Sequence, residues 1–315
     1  MTVTDRLPHP LRRPDHALPF RAPFDWARLT AFLADHATPG IETVTAEAYA
    51  RTVRTGDDIV ILRVAPAEDE TALHVWLDAP RGASGIRGAM QTRLRTMFDL
   101  DADPESIAAG LSHDPFMAEL VQRRPGLRIP GAFDPFELTV RAILGQQVSV
   151  AAATQLAGRL VSAFGTPLPA AMAVAGLTHV FPEPGQLVEA DISLRLNMPR
   201  ARGRAIQSLA SAFLHAPDLF AIGLGLDESV ARLTALPGIG PWTAHYVAMR
   251  ALGQADAFPP GDIGLMRALD GGQGRPSRTA ILARSQAWRP WRAYAALHLW
   301  AEDAERRGAS RQALR

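Results

Sequence analysis

The spacing of hydrophobic residues predicts one helix near the start of the chain and then a small sheet. In FDWARLTAFLADHA (24–37) the apolar residues recur every three or four positions, which is typical of a helix. The period then changes to two, and β-branched runs are separated by TGDD and APAEDE, as in an antiparallel meander. The predicted strands lie near 41–54, 58–65 and 71–78. A helix near 84–98 is expected to cover one face of this sheet, which makes a small α+β unit.

The rest of the chain, from DADPESIAAGL onward, has a helical period almost throughout. Proline and glycine interrupt it at short segments such as RRPGLRIPGAFDP, FPEPG, LPGIGP and FPPGD. This pattern predicts about ten helices with short connections. No repeat of fixed period stands out.

Charge and composition narrow the class of protein. Hydrophobic residues make up 47% of the chain and charged ones 21%, as in soluble globular proteins. Residues 1–119 carry 12 arginines against 18 acidic residues, whereas residues 120–315 carry 21 against 14. A polyanionic partner would therefore bind the second part. The first eighteen residues lack the apolar stretch of a signal peptide, so we expect a tail there and a cytoplasmic, nucleoid-associated protein.

Two residue types are missing. The sequence has no cysteine, which excludes disulfides, cysteine nucleophiles and iron–sulfur clusters. It also has no lysine, so all 33 basic residues are arginines and no side-chain amine can form a Schiff base.

The segment LPGIGPWTAHYVAMR (236–250) breaks a helical pattern sharply. A helix over 227–236 and another beginning at Pro241 would be joined by Gly-Ile-Gly, with Ile239 turned inward. Backbone amides exposed by the glycines beside a helix N-terminus form an anion site. The alternative is a plain αα-hairpin with a glycine C-cap.

A carboxylate follows this turn. ADAFPPGDIGLMRAL brings Asp262 from a proline-stiffened loop, 22 residues after Gly240. Aspartate is a favoured N-cap, so capping of a helix over 263–269 is the simpler interpretation. A cap can still stabilise positive charge that develops in a nearby cleft.

Together, LPGIGPWTAHYVAMRALGQADAFPPGD resembles the helix-hairpin-helix, Gly/Pro-rich loop and aspartate signature of the DNA glycosylase superfamily. FDWARLTAFLADH, IETVTAEAYARTV, RPGLRIPGAFDPFELTVRAILGQQVSVAAATQLAGRLV and WRPWRAYAALHLW extend the resemblance to the DNA-3-methyladenine glycosylase II family, over residues 18–304. The resemblance implies an α+β fold: a small TBP-like antiparallel sheet domain, then an all-α core of two helical subdomains. The expected divisions are a disordered tail 1–18, a sheet domain 19–108, and a helical core 109–315 composed of 133–250, with the hairpin 236–242, and of 109–132 plus 251–315.

The family hydrolyses the N-glycosidic bond of alkylated purines in duplex DNA, after the base is flipped out of the stack. The resemblance therefore implies roles for individual residues here. Asp262 matches the catalytic carboxylate, and Gln147 matches the side chain that wedges into the duplex. The base pocket would contain Trp242, Trp300, Tyr246 and Phe32, and the hairpin Pro237, Gly238, Ile239 and Gly240 would bind a phosphate.

Several of these roles have simpler alternatives. Gln146 and Gln147 would then satisfy backbone groups at a turn, and tryptophans at helical spacing would be core residues, as we expect for Trp26 and Trp291. Some relatives carry leucine at the wedge, so Gln147 departs from that pattern.

The resemblance also has implications for cofactors, partners and reaction type. Carbonyls of Leu236 and Ile239 would hold a sodium or potassium ion, with no other cofactor required. Arg250, Arg200 and Arg204 are further phosphate-binding candidates, or merely solvated arginines. Bifunctional relatives have a lysine where this chain has Trp242, so we expect no lyase activity. The expected partner is double-stranded DNA. We expect the protein to bind it as a monomer, without membrane association and without an obligate protein partner.

Two other functions compete with this one. A non-catalytic helix-hairpin-helix DNA-binding factor would share the hairpin without needing Asp262 or the aromatic residues. A hydrolase of small nucleosides or glycosides would need paired carboxylates and no phosphate-binding turn.

Overall fold

The computed structural model describes residues 13–78, 87–172, 174–221, 223–271 and 274–313. The fold is α+β, with an antiparallel five-stranded sheet followed by a mainly helical region. The elements of the sheet domain are β1 (His16–Pro19), α1 (Trp26–Asp35), β2 (Glu42–Val44), β3 (Tyr49–Thr55), β4 (Asp58–Pro66), β5 (Ala72–Asp78) and α2 (Arg87–Met97).

The sheet has the strand order β1-β5-β4-β3-β2, which is two strands more than the sequence predicted. β1 lies at the end of the predicted tail 1–18, so that prediction is wrong for residues 16–18, where His16 pairs with Val75. Residues 1–12 of that tail lie outside the described residues. The predicted strand 41–54 is two strands, because the Thr45 hydroxyl accepts the Ala48 amide at 3.1 Å and closes a turn between β2 and β3.

Helix α2 covers one face of the sheet, as predicted. Met90, Leu94 and Met97 are buried in one hydrophobic cluster with the strand residues Val60 and Leu62. Positions 84–86 of the predicted helix lie outside the described residues.

The described residues after α2 form twelve α-helices, where about ten were predicted. They are α3 (Pro104–Leu111), α4 (Pro115–Arg123), α5 (Pro135–Leu144), α6 (Val150–Phe164), α7 (Pro184–Leu187), α8 (Ile192–Leu196), α9 (Arg200–His215), α10 (Leu226–Thr234), α11 (Pro241–Ala251), α12 (Ile263–Ala268), α13 (Arg278–Ser285) and α14 (Arg292–Ala313). Asp103, Asp114 and Asp134 each precede a proline and cap the following helix through the side chain, because aspartate suits the N-cap and proline the first helical position. A short ribbon of β6 (Thr166–Pro167) and β7 (His179–Val180) was not predicted.

The helical region has two hydrophobic clusters, and α11 contributes to both. Val247 packs in the cluster of α5, α6 and α9, whereas Ala248 and Met249 pack in the cluster of α3, α4, α12 and α14. α11 therefore lies where the two groups of helices meet.

A buried network of charges attaches the sheet to α5. Arg51 donates to Glu137 at 2.6 Å, and Arg141 donates to both Glu42 and Glu137 at 3.0 Å. Tyr49 also donates its hydroxyl to Glu42 at 2.6 Å. Because buried charges are tolerated only when paired, this network fixes the sheet domain on the helical region.

Candidate active site

The hairpin between α10 and α11 requires a glycine at its tightest point. Gly238 has a φ of +84°, and a Cβ there would lie 2.5 Å from the Cβ of Ala205 in α9. Ile239 is 4% exposed and packs in the first helical cluster, so its predicted inward orientation is confirmed. Pro237, Gly238 and Gly240 are exposed to solvent. The hairpin is thus held closed from inside and open to a ligand outside.

The N-terminus of α11 has free amide donors. Its N-cap is Gly240, which has no side chain to cap the helix, and Pro241 occupies the first helical position. The amides of Trp242 and Thr243 therefore remain at the positive end of the helix dipole. An anion such as a phosphate fits this end of the helix.

The turn after α5 is tied to the hairpin through Gln146. Its side-chain amide donates to the Gly238 carbonyl at 2.9 Å, and its own carbonyl accepts from Arg202 at 2.7 Å. Gln146 thus satisfies backbone groups, as the simpler interpretation proposed. Gln147 is exposed and has a φ of +60°, a left-handed conformation that is costly for a residue with a side chain.

Asp262 accepts four hydrogen bonds. It is the N-cap of α12, and its Oδ1 accepts the amides of Gly264 at 2.8 Å and Leu265 at 3.0 Å. The indole of Trp300 donates to the same oxygen at 2.9 Å, and the indole of Trp242 donates to Oδ2 at 2.9 Å. The aspartate is half-buried, so it is not sealed in the interior. Oδ2 has a single donor and keeps one lone pair for a further ligand.

The four aromatic residues predicted for the pocket form a continuous, half-buried cluster. Trp242 stacks on Tyr246 with centroids 5.1 Å apart, and Trp300 lies 6.4 Å from Tyr246. Phe32 joins them through Arg250, whose guanidinium carbon lies 4.8 Å from the Phe32 centroid and 5.2 Å from that of Tyr246. The structure therefore brings α11 and α14 together at Asp262, and α1 joins the same cluster at Arg250.

Arg250 is not available to a phosphate. It is 3% exposed and donates to the carbonyls of Pro130 and Gly131 and to the Tyr246 hydroxyl. The interpretation of Arg250 as a phosphate contact is wrong, because all of its described donors face the interior. Arg200 and Arg204 are both exposed, and neither forms an ion pair within the described part of the chain.

His36 supports Phe32 from behind. The two rings stack with centroids 4.1 Å apart, and His36 Nδ1 is 2.8 Å from the Phe32 carbonyl. Burial, and then the positive charge of Arg250, lower the pKa of His36 to about 3. The imidazole is therefore neutral at physiological pH, and Nδ1 carries the proton that it donates to the carbonyl.

Sequence reasoning missed two features of this site. A Cβ on Gly264 would lie 3.0 Å from Asp262 Oδ1 and 3.1 Å from Trp300 Cδ1, so glycine permits the close approach of both. Arg278 is exposed, and its Cδ would lie 3.7 Å from a Cβ on Gly261, beside Asp262. The only sequence signal for Gly264 is its position two residues after a possible N-cap.

The expected core role of two other tryptophans agrees with their surroundings. Trp26 lies 5.9 Å from Phe98 between ring centroids and donates to the Ala46 carbonyl. Trp291 packs against Tyr294 and Gly110. Neither belongs to the cluster around Asp262.

The sequence of this chain matches two family models and several known proteins. Residues 16–134 match the model of the AlkA N-terminal domain, and residues 140–293 match that of the HhH-GPD superfamily base excision DNA repair protein. DNA-3-methyladenine glycosylase 2 of Escherichia coli is 33% identical over 290 residues, which are 90% of this chain and 96% of that protein. This chain belongs to the DNA-3-methyladenine glycosylase 2 family.

Two further comparisons bear on the family assignment. A probable bifunctional transcriptional activator/DNA repair enzyme AlkA of Mycobacterium tuberculosis is 42% identical over 284 residues. Those residues are 90% of this chain but 56% of that relative, so the chain spans about half of its length. The solved structure of a 3-methyladenine DNA-glycosylase from Archaeoglobus fulgidus has a TM-score of 0.77 at 22% identity and covers 92% of this chain and 98% of that one. This last likeness concerns the fold.

No described helix is long and apolar enough to cross a membrane. Within the same residues, no group of three or more histidine and acidic side chains is placed to hold a metal ion.

Proposed function

We propose that this protein is a monofunctional DNA glycosylase that hydrolyses the N-glycosidic bond of alkylated purines, such as 3-methyladenine and 7-methylguanine, in duplex DNA. The observation that carries the proposal is the position of Asp262. Its carboxylate is half-buried, bonded to two indoles of the aromatic cluster, and close in the fold to the exposed hairpin. A non-catalytic DNA-binding module does not need this arrangement.

Asp262 stabilises the sugar as the base leaves. Cleavage of the glycosidic bond takes its electron pair to the base and leaves positive charge on C1′ and the ring oxygen. An anion held in place by four donors stabilises that charge with little reorganisation. Water then attacks C1′, with Oδ2 as the acceptor for its proton. An alkylated purine is already cationic and leaves without a strong general acid, so Asp262 suffices as the carboxylate of the site.

Selection of a cationic base falls to the two indoles. Arg250 already lies against the rings of Phe32 and Tyr246, so its positive charge disfavours a cation at that end of the cluster. Trp242 and Trp300 are bonded to Asp262 through their indole N–H groups, and an indole face attracts a cation by about 0.5 to 2 kcal/mol. Phe32 and Tyr246 then provide apolar surface for the base.

DNA is held from both sides of the site in this proposal. The amides at the start of α11 bind a phosphate of the damaged strand, and the carbonyls of Leu236 and Ile239 hold a sodium or potassium ion beside it. Gln147 enters the duplex and fills the space that the flipped base leaves. Because the sequence has no lysine, no side-chain Schiff base forms and the product is an abasic site.

Release of free base from methylated duplex DNA tests this function, with wild type and Asp262→Asn compared side by side. Asparagine is an equally good N-cap, so the fold is retained. We expect the rate to fall by about 10² to 10³, as when an electrostatic stabiliser is removed, while affinity for duplex DNA is kept. If the wild type binds DNA and releases no base, the protein is a binding factor instead. If it cleaves free nucleosides and its binding is insensitive to salt, it is a small-molecule hydrolase.

A further inference from the structure

A large open groove lies away from the candidate active site, at the junction of the sheet domain and the helical region. Its volume is about 730 Å³, and neither Asp262 nor the aromatic cluster lines it. Gly40 forms part of its floor, and the Gly40 carbonyl accepts the amides of Thr178 at 2.7 Å and His179 at 3.1 Å. α6 and α8 contribute the remaining sides. The groove is therefore bounded by fixed backbone and by two helices.

The charge in this groove is positive and uncompensated. Arg159 of α6 and Arg195 of α8 both line it and both are exposed, and none of the described residues that line it with them is acidic. Neither arginine forms an ion pair or a hydrogen bond within the described ranges. Gln155, Ser162 and Thr178 add polar side chains to the same lining. Paired guanidinium groups without acidic neighbours fit an anion that carries repeated charges.

Close packing connects this groove to the hairpin. Gly238 of the hairpin lies against Ala205 of α9, and Gly203, two residues earlier in α9, lies against Ser193 of α8. Arg195 follows Ser193 by two residues. Arg200 and Arg204 of α9 are exposed; Arg204 lies between Gly203 and Ala205, and Arg200 is the first residue of the helix. Within the described residues, none of these three arginines, Arg195, Arg200 and Arg204, forms an ion pair, and all three lie on the two helices that connect the hairpin to the groove.

Helix α6 connects the turn that contains Gln147 to the groove. Gln147 lies two residues before Ser149, the N-cap of α6, and Arg159 lies ten residues beyond Ser149 on that helix. Ten helical residues rise about 15 Å. Successive phosphates of one strand lie about 3.4 Å apart along the duplex axis. A duplex whose axis ran along α6 would bring a phosphate four or five nucleotides from Gln147 to Arg159.

We propose that this groove, which we call the Arg159–Arg195 groove, binds the phosphodiester backbone of one duplex arm beside the lesion. The proposal rests on the proposed function, because it takes the hairpin and Gln147 as the central DNA contacts. Arg159 and Arg195 would then position the duplex without contacting the damaged base or the reacting atoms. The site size of the enzyme on DNA would be asymmetric about the lesion.

The test uses three duplexes that contain one abasic-site analogue. In one duplex both arms are 15 base pairs long, and in the other two one arm, on the 5′ or the 3′ side, is shortened to three. We expect Arg159→Gln/Arg195→Gln to raise the Kd about tenfold for the two duplexes in which the arm that contacts the groove is full length. The Kd for the duplex in which that arm is shortened should be unchanged. The slope of log K against log salt should fall by about 1.8 on the affected duplexes, since each lost phosphate contact contributes about 0.9. Base release at saturating enzyme should be unchanged.

Arg21→Gln/Arg93→Gln is the matched control, because it also removes two positive charges from exposed arginines. Arg21 is ion-paired with Asp103 and Arg93 with Asp134. An equal loss of affinity in this control, or in all three duplexes, would show a general effect of net charge and overturn the proposal. Unchanged affinity of the groove variant for every duplex would overturn it too. Both outcomes leave the proposed function intact if the wild type releases base, whereas a wild type that releases none refutes that function separately.

Discussion

Replacement of Gly264 by alanine should slow base release while leaving the free energy of unfolding nearly unchanged. Gly264 is the second residue of α12, and its amide donates to Asp262 Oδ1 at 2.8 Å, a bond that alanine retains. The added Cβ would lie 3.0 Å from that same oxygen and 3.1 Å from Trp300 Cδ1. Both contacts are shorter than the 3.4 Å at which ordinary van der Waals contact begins. The carboxylate and the indole must therefore move by about 0.3 to 0.4 Å.

The size of the effect follows from this displacement. A misplacement of about 1 Å in an active site costs about 10² in rate, so a shift of a few tenths of an ångström should cost about three- to tenfold. Alanine also favours the helix and restricts the unfolded chain, which stabilises by about 0.4 to 1 kcal/mol. This gain offsets the cost of the local shift. We expect Gly264→Ala to release base more slowly while its free energy of unfolding changes by less than about 1 kcal/mol.

Single-turnover base release from methylated duplex DNA and urea unfolding measure the two quantities. Gly185→Ala is the matched control, because Gly185 is also the second residue of a helix and has no atom within 4 Å of the added Cβ. The control should keep the wild-type rate. A wild-type rate in Gly264→Ala would refute the reasoning that the exact position of the Asp262 carboxylate limits catalysis.

Three further predictions concern single side chains. Trp242→Phe should lower the single-turnover rate about tenfold and Trp300→Phe less. In the first case Oδ2 of Asp262 loses the one donor that the described residues give it, whereas in the second Oδ1 keeps two amides; equal losses would contradict this division. Gln147→Gly should stabilise the fold by about 1 kcal/mol, since the left-handed conformation suits glycine, and yet slow base release from duplex DNA more than from single strands; an unchanged ratio of the two rates would exclude a wedge role. Burial, and then Arg124, lower the pKa of His298 to about 3, so its contribution to stability is complete above pH 6.5 and is lost as the pH falls toward 3. His298→Asn should therefore reduce the loss of stability between pH 6.5 and pH 4 by about 3 kcal/mol in urea titrations, and an unchanged pH dependence would contradict the burial argument.

The parts of the site that sequence predicted are those with local signals. The hairpin is marked by Gly238 and Gly240 between two helical patterns, and the N-cap role of Asp262 is marked by the helix that follows it. Both depend on residues within a few positions of each other, so a short segment determines them. The family resemblance added the aromatic positions, which no local signal distinguished from core.

The parts that sequence did not predict depend on distant segments. The hydrogen bonds of Trp242 and Trp300 to Asp262 form only because α11, α12 and α14 converge, and the burial of Arg250 depends on the carbonyls of residues 130 and 131. β1 has four residues with only Leu18 buried, too few for a recognisable period. The Arg159–Arg195 groove is assembled from four separate segments, and no one of them indicates it.

The charges between the sheet and α5 bear on how such proteins can be recombined. Glu42 and Arg51 come from one part of the chain, and Glu137 and Arg141 come from the other. Glu42, Arg51 and Glu137 are buried and the Arg141 side chain is 16% exposed, and each charge is neutralised by its partners. A chimera could take its sheet from one relative and its helices from another. Unless all four residues were transferred together, it would contain buried charges without partners, and each of these costs several kcal/mol. The sheet and α5 are therefore expected to recombine successfully only when they come from the same protein.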